Sequence, residues 1–138
     1  MTGVLVDSSV WSLLLRRPPG AVSSSVDELR YLLRNRQAQL LGVVRQELLS
    51  GIRHHEQFIK LRDYLQSEPD YPVLRTHYEL AAEYCNTCRQ KGVQGSSTDF
   101  LICAVGALDG LAVFTSDQDF SLFARILPIK LHRAQQAR

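Results

Sequence analysis

Val4-Leu5-Val6 is an uninterrupted apolar run of three residues, closed at once by an aspartate. A run that short, with no polar alternation, fits a strand covered on both faces, and such strands belong to parallel sheets flanked by helices. Gln39-Leu40-Leu41, Leu111 to Thr115 and Ile129-Lys130-Leu131 are further strand candidates, with Pro72-Val73-Leu74 as another short one. Between them the spacing is helical. A short helix after Asp7 carries Val10, Trp11, Leu13, Leu14 and Leu15, with Ser8 or Ser9 as its cap, and Arg16-Arg17-Pro18-Pro19 stops it. Helices are also expected over Ser23–Arg34, Val43–Ile52, His54–Leu65 and Thr76–Gln90. The helix entered through Ser96-Ser97-Thr98-Asp99 is apolar almost all round as far as Ala107, so it has to be buried. Strands alternating with helices predict an α/β fold of three layers, α/β/α, around a mostly parallel central sheet.

The 138 residues suit one domain, with a polar tail from His132 expected to fray. Hydrophobic residues make up 45% of the chain, enough to bury a core, and a net charge of +2 neither demands nor excludes a nucleic-acid partner. Three cysteines give no disulfide framework and suggest a reducing compartment. Asp7 interrupts the opening apolar run before a signal segment forms, and no stretch reaches the ~18 apolar residues of a membrane span. A cytoplasmic protein is expected.

In sheets of this kind, ligands gather at the carboxyl ends of the strands. Asp7 closes the first strand and Asp117 lies just beyond the strand ending at Thr115. Asp99 stands in the first turn of the apolar helix, and Glu47 on a helix that directly follows a strand. Each alone is as readily a cap or a solvated side chain. Together in one cleft they would repel, and a divalent cation relieves that repulsion; oxygen-only ligands select Mg²⁺ or Mn²⁺ over zinc. Such a site can activate water for in-line attack at phosphorus.

Four segments, in order, resemble the PIN-domain pattern: Val4-Leu5-Val6-Asp7-Ser8-Ser9-Val10-Trp11, Glu47-Leu48-Leu49-Ser50-Gly51, Asp99-Phe100-Leu101-Ile102 and Thr115-Ser116-Asp117-Gln118-Asp119-Phe120. The resemblance covers essentially the whole chain and is strongest to VapC toxins, which are compact single PIN domains. It implies that Asp7, Glu47, Asp99 and Asp117 are the catalytic, metal-holding acids. Asp7 and Asp99 would touch metal directly, Glu47 and Asp117 directly or through water. Asp119 matches a position that is often acidic but less consistently a ligand. Thr115 and Ser8 match supporting hydroxyl positions, and Gly51 a small residue expected to serve close helix packing. No acidic position is missing, which argues against an inactive member. The resemblance further implies endonucleolytic hydrolysis of RNA to a 5′-phosphate and a 3′-hydroxyl, a VapB-like antitoxin partner and a homodimer. Arg16, Arg17, Arg45 and Arg53 are candidates for holding RNA phosphates.

Other signals carry less. Cys85-x-x-Cys88 falls inside an expected helix without a second metal-binding pair, and His54-His55-Glu56 lacks the H-E-x-x-H spacing of a zinc site. His77 and His132 stand alone in the sequence, and Trp11 reads as core. No glycine-rich phosphate loop precedes a helix. A phosphatase using Asp7 as nucleophile would need an acid two residues on, where Ser9 stands. The remaining alternatives are an RNA-processing PIN nuclease that is not a toxin, and a non-catalytic RNA-binding or interaction module. The second would gain nothing from grouping mutually repelling carboxylates.

Overall fold

The computed structural model describes residues 3–16 and 23–134. In chain order the elements are β1 (Val4–Val6), α1 (Ser8–Arg16), α2 (Ser24–Arg34), β2 (Ala38–Gln39), α3 (Gly42–Leu49), α4 (His55–Tyr64), a single 3-10 turn (Leu65–Ser67), α5 (Arg75–Gln90), α6 (Ser97–Asp109), β3 (Ala112–Phe114) and α7 (Asp119–Ile126). The three strands form one parallel sheet in the order β2-β1-β3, with Val4, Leu5 and Val6 opposite Ala112, Val113 and Phe114. Central β1 is buried at all three positions, as its unbroken apolar run requires. Helix α1 packs on both α2 and α3, while α5, α6 and α7 form the second group, α6 lying along β3. This is the expected layered α/β fold. No described helix is long and apolar enough to cross a membrane.

Two expected strands shrink to single bridges. Pro72-Val73-Leu74 pairs with nothing; the contact is made earlier, where Asp70 bridges Leu40. Ile129-Lys130-Leu131 reaches the sheet through the one bridge Leu131–Val113. Helix α3 also ends earlier than its apolar spacing suggests, because Ser50 is extended and Gly51 takes a φ of 86°. A side chain added at Gly51 would meet nothing within 4 Å, so this glycine serves the backbone turn and not close packing. Gly106 is the residue that permits close packing. A Cβ there would lie 2.9 Å from the carbonyl oxygen of Leu111 and 3.2 Å from Cγ2 of Val113, which lets α6 settle onto β3.

The two histidines that stand alone in sequence both have partners in space. His132 Nε2 lies 2.6 Å from Oε2 of buried Glu28 on α2, its backbone N–H donates to Val113 O at 2.7 Å, and its ring meets Phe114 edge-on. The chain is therefore pinned at His132, where a frayed tail was expected; residues 135–138 lie outside the described residues. His77, also buried, accepts the Leu74 N–H at Nδ1 (2.9 Å), so Nε2 carries the proton and donates to Asp109 Oδ1 (2.9 Å). Tyr71 donates its hydroxyl to the other oxygen of Asp109 at 2.5 Å. Burial and that bond push Tyr71 up to about 12. For Asp109, burial alone would raise the carboxyl, but the hydrogen bonds from Tyr71 and His77 outweigh it and leave it below the usual range.

Replacing Gly106 with alanine is expected to lower stability by about 1–3 kcal/mol in urea unfolding, since backbone and not a flexible side chain blocks the added methyl. A lowered folded-state pKa means that the Asp109 contribution is present above the ordinary carboxylate range and is lost as pH falls through the folded value. The urea midpoints of wild type and Asp109→Asn should thus differ most near neutrality and converge as the pH approaches ~3.

Candidate active site

Asp7 is where β1 becomes α1. Its N–H continues the sheet by donating to Phe114 O (2.9 Å), and its carbonyl accepts from Val10 and Trp11 to open the helix. Ser8 and Ser9 therefore lie inside the first turn instead of capping it. Although only 4% of Asp7 is exposed, its carboxylate is well supplied with donors. Oδ2 accepts from the hydroxyls of Ser9 (2.8 Å) and Thr115 (2.9 Å), with the Ser9 N–H at 3.4 Å. The Ser9 oxygen in turn accepts the Ser116 N–H (3.0 Å), and the Thr115 oxygen accepts the Asp117 N–H (3.0 Å).

Asp117 follows β3 by three residues, and its Oδ1 accepts the N–H of Asp119 at 2.9 Å, a local turn that leads into α7. Asp99 enters from α6, the buried helix, through a reciprocal cap. Its N–H donates to Ser96 Oγ (3.1 Å), and the Ser96 N–H donates to Asp99 Oδ2 (3.0 Å). Burial pushes the Asp99 carboxyl up, the Ser96 hydrogen bonds pull it back, and the charges on Asp7 and Asp117 push it up again. Those two charges acting on Asp99 put the three aspartates in one electrostatic neighbourhood. Behind them, one turn along α6, the buried Cys103 thiol is driven upward by desolvation and then by Asp99, Cys88 and Asp7.

The three carboxylates share one arrangement. Each has one oxygen held by a local donor: Oδ2 of Asp7, Oδ2 of Asp99 and Oδ1 of Asp117. The opposite oxygen of each takes no hydrogen bond among the described residues. Half-tied carboxylates with all-oxygen donors suit a hard divalent cation such as Mg²⁺ or Mn²⁺. As they stand, no three described His, Cys, Asp or Glu side chains are close enough to chelate an ion together. Mg²⁺ does not require that, because it keeps several waters and is commonly held by one or two carboxylates.

The other sequence candidates are distributed differently. Glu47 is exposed on α3 and is not among the charges acting on Asp99. Asp119 is exposed in the first turn of α7, beside Asp117 through its backbone. The hydroxyl that reaches Asp7 belongs to Ser9, while Ser8 makes no side-chain hydrogen bond among the described residues. The signal for Ser9 was present in sequence: a hydroxyl two residues after an aspartate is placed to donate back to it. Arg45 donates to Asp70 (2.8 Å), to Leu65 O and to Glu68 O, so it ties α3 to the segment after α4. Arg16 and Arg53 line a cavity of about 700 Å³ between α1 and α4, together with His54 and Lys60. Arg17 lies outside the described residues.

If burial and repulsion oppose the charge on Asp99, removing that charge should stabilise the metal-free protein. Asp99→Asn keeps an oxygen acceptor for Ser96, and its melting temperature without metal is expected to rise by about 2 °C or more while any Mn²⁺-induced rise shrinks. A calorimetric scan with and without Mn²⁺ reads both effects.

The sequence profile of the PIN domain matches residues 4–126, a span that includes every acid discussed above. No curated protein sequence is similar enough to match. Among solved structures, the chain is similar to FitAcB from Neisseria gonorrhoeae, with a TM-score of 0.74 and 18% identity over 95% of this chain and 97% of that one. It is likewise similar to DNA-bound VapBC from Salmonella typhimurium, with a TM-score of 0.71 and 17% identity over 96% and 98% of the two chains. A third similar structure is VapBC-5 of Mycobacterium tuberculosis, described as a member of the VapBC family of toxin-antitoxin systems, with a TM-score of 0.68 and 16% identity over 96% and 99%. At these identities the structures establish the fold, and the sequence profile establishes the family: the chain belongs to the PIN domain family.

Proposed function

We propose that this protein is a Mg²⁺- or Mn²⁺-dependent endoribonuclease and the toxin of a VapBC-like type II toxin–antitoxin pair, acting in the cytoplasm. The observation that carries the nuclease reading is the half-tied state of Asp7 and Asp117, just past two neighbouring strands, and of Asp99 at the start of α6, each with one carboxylate oxygen that takes no hydrogen bond among the described residues. PIN domains are generally nucleases, which agrees with it. In this reading one or two of the carboxylates of Asp7, Asp99 and Asp117 would hold the cation directly and the rest through water, with exposed Glu47 and Asp119 at its edge. A bound divalent ion supplies charge neutralisation at the phosphate and lowers the pKa of an attacking water.

The chain's own groups then have defined tasks. Ser9, Thr115, Ser96 and the Asp119 N–H fix the carboxylates so that little reorganisation is needed on substrate arrival. The in-line attack breaks the bond to the 3′-oxygen and leaves a 5′-phosphate and a 3′-hydroxyl. Arg16, Arg53, His54 and Lys60 surround the cavity between α1 and α4 and can accept flanking phosphates. The toxin role rests on structures similar in fold, FitAcB and VapBC among them, of which one is described as DNA-bound and one as a toxin-antitoxin system. A small antitoxin covering the acidic cleft, and a homodimer of this chain, complete the proposal.

The test is cleavage of total cellular RNA by purified, antitoxin-free protein with Mg²⁺, Mn²⁺ or EDTA, beside Asp7→Asn and Asp99→Asn. Discrete metal-dependent fragments, reduced by roughly a hundredfold or more in both variants, are expected. A folded protein that cuts nothing under any metal would overturn the catalytic reading in favour of a binding module.

A further inference from the structure

Asp7 and Asp117 come from opposite ends of the chain, and their carboxylates make no direct contact in the hydrogen-bond pattern. What joins them is a pair of hydroxyls. Ser9 Oγ touches three groups: Asp7 Oδ2 at 2.8 Å, Thr115 Oγ1 at 3.2 Å and the Ser116 N–H at 3.0 Å. Thr115 Oγ1 touches Asp7 Oδ2 at 2.9 Å and the Asp117 N–H at 3.0 Å. Proton counting resolves the roles. Each hydroxyl has one proton and already accepts a backbone N–H, from Ser116 or Asp117. Both protons are taken up by the same Asp7 oxygen, so the carboxylate is turned with Oδ2 inward and Oδ1 outward. The two N–H bonds that the hydroxyl oxygens accept fix the backbone from Ser116 to Asp117, which sets the position from which Asp117 presents its second carboxylate oxygen.

We infer that Ser9 is a positioning residue for the cation site, one that locks the Asp7 carboxylate and couples it to the Ser116–Asp117 backbone across the β1–β3 pair. The inference rests on the acids being a cation site. Thr115 is the nearer neighbour in sequence to Asp117, but Ser9 alone spans from the first turn of α1 to the backbone after β3. Without its hydroxyl the Ser116 N–H loses its acceptor, and Asp7 keeps one side-chain donor where it had two. The carboxylate is then held by the Thr115 hydroxyl alone, and a cation must supply the rest of the restraint. Ser9 touches neither cation nor substrate in this scheme. It acts through Asp7.

The experiment is Mn²⁺ titration of the full chain, by calorimetry and by the electron-paramagnetic-resonance signal of free Mn²⁺, for wild type, Ser9→Ala, Ser9→Thr and Ser9→Cys. Ser9→Ala should weaken Mn²⁺ binding by about 10-fold or more, the usual effect of removing a group that orients a metal ligand. Ser9→Thr, which keeps the hydroxyl, should stay close to wild type. Ser9→Cys keeps the volume with a weaker donor, should fall between, and serves in place of Ser9→Ala if that variant does not fold. RNA cleavage by Ser9→Ala should need more Mn²⁺ for half-maximal rate yet recover at saturating Mn²⁺, a rescue that a general loss of structure would not allow. Wild-type Mn²⁺ affinity in folded Ser9→Ala, whatever its melting temperature, would overturn the positioning role while leaving the cation site intact. Failure of the wild type itself to bind Mn²⁺ would overturn both, and the two failures are separate readings of one titration.

Discussion

The parallel pairing of Val4–Val6 with Ala112–Phe114 joins segments 108 residues apart, and the candidate site depends on it. The ladder runs one step past the last paired residue, through the Asp7 N–H to Phe114 O, so the two strands end level. Level ends are what let a hydroxyl on the residue after β3 reach a carboxylate on the residue after β1. A one-residue slip in a parallel pair would turn Asp7 to the opposite face and dissolve the cluster. Register is secured by the burial of all three β1 side chains and by α6, which can lie against β3 because Gly106 has no side chain.

The cost of the arrangement falls on Asp99. Its helix is buried from Phe100 to Gly106, so the carboxylate is delivered to the site by an element with no charged side chain on those seven positions. Burial and two neighbouring negative charges disfavour its ionised form, and only the Ser96 cap offsets them. Native proteins keep such destabilising groups where function requires them, and the compensation lies elsewhere, here in an apolar helix packed against α5 along its length.

Much of this was visible in the sequence. Short unbroken apolar runs gave the parallel sheet, and the all-apolar span after Asp99 gave the buried helix, because both patterns have few alternative uses. The strand-end rule placed Asp7 and Asp117. What remained hidden depends on distance in space. Nothing local marks His77 as the partner of Asp109, or His132 as the partner of Glu28, since each pair is brought together by tertiary packing across 32 and 104 residues. Arg45 reads as a surface cation until Asp70 and two carbonyls are seen around it. Ser8 and Ser9 are both hydroxyls beside Asp7; the spacing of two favours Ser9, and the direction in which α1 leaves β1 makes it the one that faces the aspartate.

The latch formed by Tyr71, His77 and Asp109 lies at the far end of α6 from Asp99, about 15 Å away along the helix axis. A rigid helix behaves as a rod, and fixing one end sets the axial position of the other. Its axial position is thus set in part away from the acids: Tyr71 before α5 and His77 in the first turn of α5 hold one end of the rod, and the acid at its tip shares the setting. Substitutions at Tyr71 or His77 would therefore reach the site as changes in the position of Asp99 along the α6 axis.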